Sequence, residues 1–263
     1  MSLAVIARSA RAPRRVTSIG VLPVETLDLA ATARAYIDYC LSGARRHALR
    51  PHYSTSVNGH VVSLCARDGR IERLFRQADS ISADGQPMVT MSRMLARHPL
   101  PERVATTDLF PEVARLAAEA GLSFYMLGGT ERVNREAVEA TRRAYPALRI
   151  AGRRNGYFAR EDEADILAEI AAAEPDILWV SLGVPLEQEF CVRNLDALRG
   201  VGIVKTAGGL FDFLSNEKPR APLWMQRAGL EWLFRLGHEP RRLFVRYVTT
   251  NPHSMVVMLL SMR

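Results

Sequence analysis

The sequence lacks the features that mark several large protein classes. Its three cysteines, Cys40, Cys65 and Cys191, are an odd number without paired spacing, so neither a disulfide framework nor a zinc site is expected. No apolar run approaches the roughly 18–20 residues that a membrane-spanning helix requires. The N-terminus has too short an apolar stretch, in the wrong order relative to its arginines, for a secretory signal. We therefore expect a cytoplasmic protein, either soluble or peripheral on a membrane.

Complete nucleotide-binding and metal-binding motifs are also missing. The chain has no full G-x-G-x-x-G and no P-loop. It has no Asp-x-Asp pair, on which many nucleotide-sugar enzymes hold a divalent ion, and its histidines show no metal-ligand spacing. No repeated or low-complexity segment argues for a solenoid or for disorder. A mechanism without a metal ion or a bound cofactor is the expectation.

Positive charge is concentrated at the two ends of the chain. The net charge is +7, to which residues 1–15 contribute +4 and residues 218–263 contribute +6, leaving −3 for residues 16–217. A uniformly basic nucleic-acid-binding surface is therefore not expected. The distribution favours a near-neutral body whose basic ends meet an anionic membrane or substrate.

Short apolar runs alternate with helical patterns through most of the chain. The candidate strands are 60–66, 122–129, 148–156, 176–183 and 202–209, and the candidate helices are 26–45, 108–120, 131–145, 161–173 and 186–199. Apolar strands separated by such helices predict an α/β fold, a Rossmann-like and mostly parallel sheet with helices on both faces. We divide the chain into a flexible basic lead-in (1–20), a catalytic core (21–217) and a basic amphipathic appendage (218–263) that associates with a membrane.

Three candidate strands end in small residues, which suits a phosphate ligand. Gly128 and Gly129 close one strand, Gly208 and Gly209 follow another, and the third runs into SLGVP at 181–185. Ligands of open α/β sheets bind beyond the carboxyl ends of the strands. Glycine also lets backbone N–H groups approach a phosphate closely. Each glycine pair alone also fits a tight turn, but three such ends together favour a nucleotide-sized ligand.

Several polar residues admit both a structural and a functional interpretation. Asp84 precedes Gly85 as in an ordinary turn, and Asp108 follows two threonines as a helix N-cap would. Gln188 and Glu189 begin a helix, where they either complement its dipole or line a pocket. Asp212 is either a capped structural residue or part of the site. Composition and spacing leave these alternatives open.

The segment 220–247 is dense in tryptophan, phenylalanine and arginine, and Pro240 is predicted to separate two short amphipathic helices in it. This composition fits an interfacial helix on an anionic bilayer, or arginines that clamp a diphosphate. An ordinary terminal helix packed on the core is the alternative. The apolar stretch 255–260 is too short to span a bilayer but long enough to dip into its interface.

Nine ordered motifs carry a resemblance to a known family. They are ADG (83–85), ERVATTD (102–108), YMLGG (125–129), YPALRIAG-x-x-x-GYF (145–158), PDILWVSLGVPLEQEF (175–190), AGGLFDF (207–213), RAP (220–222), GLEWLFRL (229–236) and EPRR-x-x-x-RY (239–247). The order resembles the WecG/TagA/CpsF proteins, glycosyltransferase family 26, over roughly residues 50–250. The resemblance implies a Rossmann-like, metal-independent, inverting enzyme. It would transfer a sugar from a UDP-sugar to an undecaprenyl-diphosphate-linked saccharide, peripherally at the inner face of the bacterial inner membrane.

The resemblance also implies residue roles. Asp84 matches the family's proposed general base, which takes the proton of the acceptor hydroxyl. Asn58 matches an asparagine near the sugar, with Ser56 where the family usually has threonine. The further substrate-binding candidates are Arg103, Asp108, Gly128, Gly129, Gln188, Glu189, Gly208, Gly209, Asp212, Arg220, Arg235, Arg242 and Arg246. The C-terminal arginines match an appendage that closes over the site and neutralises the departing UDP.

Some questions stay open at the level of sequence. The arginine-rich, lysine-poor composition is typical of a high-GC bacterial genome and favours exopolysaccharide over teichoic acid synthesis. The sequence does not identify the donor sugar or the acceptor, and it does not show whether the protein forms a homo-oligomer. The alternative functions are a non-catalytic basic membrane adaptor and another Rossmann-type nucleotide-sugar enzyme or oxidoreductase. The oxidoreductase predicts an early glycine fingerprint, which the sequence lacks.

Overall fold

A computed structural model describes residues 15–42, 48–227 and 230–262, without the side chains of Leu223, Arg227, Arg242 and Arg246. Its strands are β1 (Val16–Ile19), β2 (Leu22–Glu25), β3 (His52–Val57), β4 (Ser80–Ala83), β5 (Ser123–Gly128), β6 (Arg149–Arg154), β7 (Ile177–Ser181) and β8 (Ile203–Thr206). Its helices are α1 (Leu29–Leu41), α2 (Gly59–Arg67), α3 (Gly69–Arg76), α4 (Gln86–Leu95), α5 (Thr106–Glu119), α6 (Glu131–Ala144), α7 (Glu163–Ala173), α8 (Leu186–Asn194), α9 (Leu210–Leu214), α10 (Leu223–Arg227), α11 (Glu231–His238) and α12 (Pro240–Ser261).

Six of the strands form one parallel sheet in the order β4-β3-β8-β7-β5-β6. Helices connect the strands and cover the sheet, so the predicted α/β class with a parallel sheet is confirmed. Strands β1 and β2 form a separate antiparallel hairpin. Residues 16–20 of the predicted lead-in thus belong to this hairpin, and residues 1–14 lie outside the described part of the chain.

The prediction of a strand at 60–66 was wrong, because these residues form α2. Val61, Val62 and Cys65 are buried at helical spacing. Asn58 fixes the start of the helix, since its side-chain oxygen accepts the backbone N–H of Val61 at 3.1 Å. A short apolar run does not by itself distinguish a strand from a buried helix segment. Strands β3 and β4, which flank this region, are not among the strands predicted from the sequence.

Alternating side chains of the central strands fill two cores. Along β5, Phe124 and Met126 face the core under α1, α5 and α6, where Phe124 meets Phe110 and Trp179 edge to face. Tyr125 and the residues facing the same way pack under α7 and α8. Both faces of the sheet are therefore covered, which explains the continuous apolar strands in the sequence.

The end of β5 depends on the absence of a side chain. Gly128 has a φ of +135°, and a Cβ added there would lie 2.1 Å from the Ser181 carbonyl oxygen of β7. The side chain of Asn134 in α6 is fully buried and donates to the carbonyl oxygens of Met126, Gly128 and Arg154 at 2.9–3.0 Å. The ends of β5 and β7 are therefore so close together that only glycine fits at position 128.

The C-terminal helices pack on the core. Helix α12 starts at Pro240, as predicted, but it runs for 22 residues instead of being short. It lies against α2, where Ser254 Oγ would be 3.1 Å from a Cβ added to Gly59. Met258 and Met262 join the apolar cluster that contains Ile19 and Val61. Within the described residues, no helix is long and apolar enough to cross a membrane.

Substitution of Gly128 by alanine should destabilise the fold strongly. The added methyl group meets the backbone of β7, which has no room to retreat, and the positive φ adds strain, so we expect a loss of about 3 kcal/mol or more. Denaturant unfolding measures it. Gly121→Ala is the matched control, because its φ is +68° but nothing lies within 4 Å of an added Cβ. Equal stability of the two variants would contradict the close approach of β5 to β7.

Candidate active site

Most of the sequence motifs meet at the carboxyl edge of the sheet. Asp84 follows β4, Asn58 follows β3, Gly128 ends β5, and Gly208 follows β8. From β5 the chain moves to the outer neighbour β6, whereas from β7 it moves the other way to β8. The boundary between β5 and β7 is therefore a topological switch point, the place where open α/β sheets bind ligands.

Asp84 occupies a sheltered position at this edge. Its backbone N–H donates to the Val57 carbonyl oxygen at 2.7 Å, which extends the pairing of β3 with β4 by one residue. Burial raises the pKa of its carboxyl group from 3.8 to about 6. Arg103, Lys205 and the backbone N–H of Thr106 at the start of α5 lower this pKa, and Glu231 raises it. Such a pKa suits a proton acceptor near neutral pH.

Four charged residues beside Asp84 form what we call the charge cluster, Arg103, Asp108, Arg220 and Glu231. Arg103 donates to Glu231 at 2.8 Å and to Asp108 at 3.0 Å. Arg220 also pairs with Asp108. Because Arg220 and Glu231 come from the C-terminal segment, the cluster ties this segment to the core next to Asp84.

Asp108 does not cap α5, contrary to the sequence prediction. The N-cap position is Ala105, which makes no side-chain cap, and Asp108 lies inside the first turn. Its carboxylate turns instead to the two guanidinium groups of the charge cluster. A strong pairing with two arginines outweighs the local capping preference.

Beneath the edge lies a buried pair, Lys205 and Glu187. Lys205 is fully buried, and its Nζ donates to Ser56 Oγ at 2.7 Å and to the Thr206 carbonyl oxygen at 3.0 Å. Burial lowers the pKa of Lys205 to about 8, although the Glu187 and Asp84 carboxylates oppose this. Burial likewise raises the pKa of Glu187, whose partners are two backbone N–H groups, Lys205 and Gln188.

Glu187 joins two of the glycine-containing loops. Its Oε2 accepts the backbone N–H of Gly208 at 2.9 Å and that of Gly183 at 3.2 Å. The loops after β7 and β8 are therefore fixed to each other by one carboxylate. Gly208 has a φ of +56° and Gly183 a φ of +80°, the left-handed region in which glycine is favoured.

Gln188 and Glu189 separate on the two sides of α8. Gln188 is buried, and its Nε2 donates to Thr55 Oγ1 at 3.3 Å and to Glu187 at 3.2 Å. Glu189 points outward and pairs with Arg70 of α3 at 3.3 Å. Successive helical residues differ by 100° in direction. The predicted pair of Gln188 and Glu189 is thus separated: Gln188 lies beside Glu187, whereas Glu189 pairs with Arg70 on another side of the helix.

Ser56 and Asn58 flank the end of β3 with different surroundings. Ser56 Oγ accepts from Lys205 and lies 3.1 Å from Ser82 Oγ and 3.2 Å from Thr106 Oγ1. Asn58 caps α2, and its Cα would be 3.7 Å from a Cβ added to Gly85. Both residues thus lie beside the Asp84 loop.

The remaining candidates lie around α9. Asp212 pairs with Lys218 at 2.7 Å. The Arg235 guanidinium lies 5.4 Å from the centroid of the Phe213 ring, so α11 contacts α9 just after the Gly208–Gly209 turn. The side chains of Arg242 and Arg246 lie outside the described residues, and their predicted roles stay predictions.

Sequence reasoning missed four site residues, Thr106, Glu187, Lys205 and Glu231. Lys205 had the clearest pattern, a charged residue inside the apolar run 202–206. Thr106 was noticed only as a neighbour of Asp108. Glu187 and Glu231 matter through partners more than 20 residues away, which local patterns do not reveal.

Metal ligation has no evident place in this geometry. Across residues 15–42, 48–227 and 230–262, no group of three or more His, Cys, Asp or Glu side chains is arranged to hold an ion. The polar groups near Asp84 are instead dominated by arginine and lysine. Metal independence nevertheless stays a prediction from the sequence.

Comparison with known proteins agrees with the motif order. Residues 17–263 match the family described as glycosyl transferase WecG/TagA/CpsF. A protein of Bacillus spizizenii strain W23 is 34% identical over 190 residues, and one of Bacillus subtilis strain 168 is 31% identical over 188 residues, each covering 72% of both chains. Both are named N-acetylglucosaminyldiphosphoundecaprenol N-acetyl-β-D-mannosaminyltransferase.

Substitution of Asp84 by asparagine should stabilise the fold at neutral pH. The folded-state pKa of about 6 lies above the ordinary 3.8, so the ionised carboxylate costs folding free energy at any pH above both values. Allowing for its partial exposure, we expect Asp84→Asn to gain about 1–2 kcal/mol at pH 7.5. The gain should vanish near pH 4, and urea unfolding at both pH values measures it. A variant less stable at pH 7.5 would contradict the burial of the charge.

Proposed function

The chain belongs to the WecG/TagA/CpsF glycosyltransferase family, and we propose that its donor is a UDP-sugar and its acceptor an undecaprenyl-diphosphate-linked saccharide. Membership makes it a glycosyltransferase of cell-surface polymer synthesis, so the adaptor and oxidoreductase alternatives fall away. In the proposed reaction the anomeric carbon inverts, and neither a metal ion nor a bound cofactor takes part. We place the pathway in bacterial surface polysaccharide or exopolysaccharide synthesis.

The observation that carries this proposal is the surroundings of Asp84. A carboxylate with a pKa of about 6 lies at the carboxyl edge of the sheet beside the guanidinium of Arg103, and Arg103 shares Asp108 with Arg220. Base catalysis needs the carboxylate, and departure of a diphosphate needs cations. The two requirements are met within one group of contacting residues.

The proposed chemistry is a single displacement. Asp84 takes the proton of the acceptor hydroxyl as that oxygen forms its bond to the anomeric carbon. The bond from this carbon to the phosphate oxygen breaks at the same time, and its electron pair stays on UDP. Attack from the face opposite the leaving group inverts the configuration. At neutral pH most Asp84 carboxyls are ionised and ready to accept a proton.

The glycine loops support a donor diphosphate at the switch point. Gly128 and Gly129 end β5, Gly208 and Gly209 lead into α9, and both pairs lie at the same edge. Positive φ values at Gly129 and Gly208 turn the backbone at these positions. Backbone N–H groups and positively charged side chains then share the phosphate charge. Gln188 and Asn58 are the proposed contacts to the rest of the donor.

The C-terminal arginines are the proposed electrostatic partners of the leaving UDP. Arg220 already lies in the charge cluster, and Arg235 lies against α9. Arg242 and Arg246 follow in α12 and are the further candidates. An entering diphosphate offers these guanidinium groups bidentate oxygen pairs of the same geometry that carboxylates offer. Arginine therefore supplies the positive charge that a metal ion supplies in other glycosyltransferases.

Helix α12 supports peripheral membrane docking. Its outward face is mostly apolar, with Thr249 and Asn251 as exposed polar residues, and no Asp, Glu, Lys or Arg occurs between positions 247 and 262. The exposed apolar side chains of this face are Phe244, Val245, Val248, Met255, Val256, Leu259 and Leu260. Trp224 and Trp232 are exposed in the preceding helices, and Arg241 is exposed in the first turn of α12. Such a helix lies in the interface of an anionic bilayer, at the inner face of the cell membrane in this proposal.

Replacement of Asp84 by asparagine should abolish most turnover. We expect kcat to fall by about 10²–10⁴, because the amide does not accept the proton. In the wild type, kcat/KM should fall as the pH drops below about 6, where Asp84 becomes protonated. Release of UDP from a panel of UDP-sugars with a lipid-diphosphate acceptor measures both.

Asp165→Asn, on the exposed side of α7, is the control for that assay and should keep wild-type turnover. A folded Asp84→Asn protein with unchanged kcat would remove Asp84 as the base. Loss of UDP release in the variant with every donor would agree with the proposal, and the panel tested with the wild type would identify the donor that it uses.

Substitution of Val256 and Leu260 by serine should weaken membrane binding. Both side chains are exposed on α12, so the fold should tolerate the change, while less apolar area enters the bilayer. We expect at least about a tenfold loss of binding to phosphatidylglycerol vesicles in a sedimentation assay. Added salt should weaken the wild type further by screening the arginines.

The matched control replaces two exposed leucines far from α12, Leu41 and Leu49, by serine. It should bind the vesicles as the wild type does. Undiminished binding of the Val256→Ser/Leu260→Ser protein would rule out the α12 face as the docking surface.

A further inference from the structure

Lys205 is an unusual residue for this sequence. The chain has only two lysines, Lys205 and Lys218, among many arginines. Lys218 lies near the surface, where it pairs with Asp212, whereas Lys205 is fully buried in β8. A buried ammonium is expensive unless its partners compensate for the lost water. Its place under the candidate active site therefore calls for a reason beyond packing.

The contacts of Lys205 lead toward Asp84. Its Nζ donates to Ser56 Oγ at 2.7 Å, and this oxygen lies 3.2 Å from Thr106 Oγ1. The backbone N–H of the same Thr106 lowers the pKa of the Asp84 carboxyl group. The hydroxyl groups of Ser56 and Thr106 thus connect the ammonium to the N-terminus of α5, beside Asp84.

Charge connects the two residues as well. Lys205 faces the carboxylates of Glu187 and Asp84 and the thiol of Cys191. Asp84 faces Arg103, Lys205 and Glu231. Arg103, however, is shared with Glu231 and Asp108, which already neutralise it. Lys205 is the cation near Asp84 that the charge cluster does not engage among the described residues.

A lysine also fits the position better than an arginine would. The ammonium is compact and carries three donors in a fully buried position. Two of those donors go to Ser56 and to the Thr206 carbonyl oxygen. A planar guanidinium needs more room and different partners.

We propose that Lys205 is a positioning residue for Asp84, which it keeps ionised and correctly oriented through its charge and through Ser56 and Thr106. This inference rests on the proposed role of Asp84 as the general base. It does not require Lys205 to touch the substrate. Glu187 in turn balances the charge of Lys205 beneath the site.

The test is the pH dependence of the Lys205→Met protein. Loss of the ammonium should move the acid limb of the kcat/KM profile upward by about one pH unit, the low end for an opposite charge near a carboxylate. A ¹³C-carboxyl NMR titration of Asp84 should show the same shift, with the resonance identified by its absence from Asp84→Asn. A merely structural role for Lys205 would change yield or stability and leave both titrations in place.

Two further variants keep the test decisive. Lys218→Met removes the other lysine and should leave the acid limb unchanged. Lys205→Met/Glu187→Gln removes both buried charges, so it should fold even where the single variant does not, and it should still show the upward shift. A folded protein that lacks Lys205 and titrates as the wild type does would overturn the proposal.

The same measurements separate this inference from the proposed function. If Asp84→Asn retained full turnover, Asp84 would not be the base, yet the NMR titration would still report whether Lys205 acts on it. If Asp84→Asn were inactive and the Asp84 titration unshifted without Lys205, only the role of Lys205 would fail.

Discussion

Parallel pairing of six strands is the constraint from which the candidate site follows. In a parallel sheet all carboxyl ends lie at one edge, so residues far apart in sequence, such as Asn58, Asp84, Gly128 and Gly208, are brought to the same edge. At the end of β5, Gly128 permits a close approach to Ser181 of β7. A wider spacing there would move the Gly128–Gly129 loop away from the Gly208–Gly209 loop and from the ends of β3 and β4. The chemistry at the edge therefore depends on packing in the middle of the sheet.

The charges at this edge are arranged in two layers. The upper layer is the charge cluster, in which carboxylates of the core and of the C-terminal segment share Arg103 and Arg220. The lower layer is Lys205 with Glu187, and the Glu187 carboxylate accepts backbone N–H groups from the loops after β7 and β8. Charges of both layers act on Asp84, since Arg103, Lys205 and Glu231 all affect its pKa. Burial raises that pKa, and the surrounding cations limit the rise.

Much of the architecture was readable from the sequence, because strands buried on both faces leave continuous apolar runs. Strands β5 to β8 and helices α5 to α8 came from such patterns. The segment 60–66 was not predicted correctly, since a short apolar run fits a strand as well as a helix. The Asn58 cap is what identifies it as a helix. In the site, Asp84 and Arg103 were identified through the order of motifs. The local capping rule misplaced Asp108, whose partners Arg103 and Arg220 lie 5 and 112 residues away. The roles of Lys205 and Glu187 depend on residues that are distant in the sequence, so a short stretch of sequence does not reveal them.

The position of Glu231 links the C-terminal helices to the protonation of Asp84. Glu231 is the first residue of α11, and its carboxylate raises the pKa of Asp84 while it occupies Arg103. A movement of α11 that takes Glu231 away removes one negative charge and releases a guanidinium, and both changes favour the ionised form of Asp84. Proton binding and the seating of α11 are therefore thermodynamically coupled, and the coupling is reciprocal.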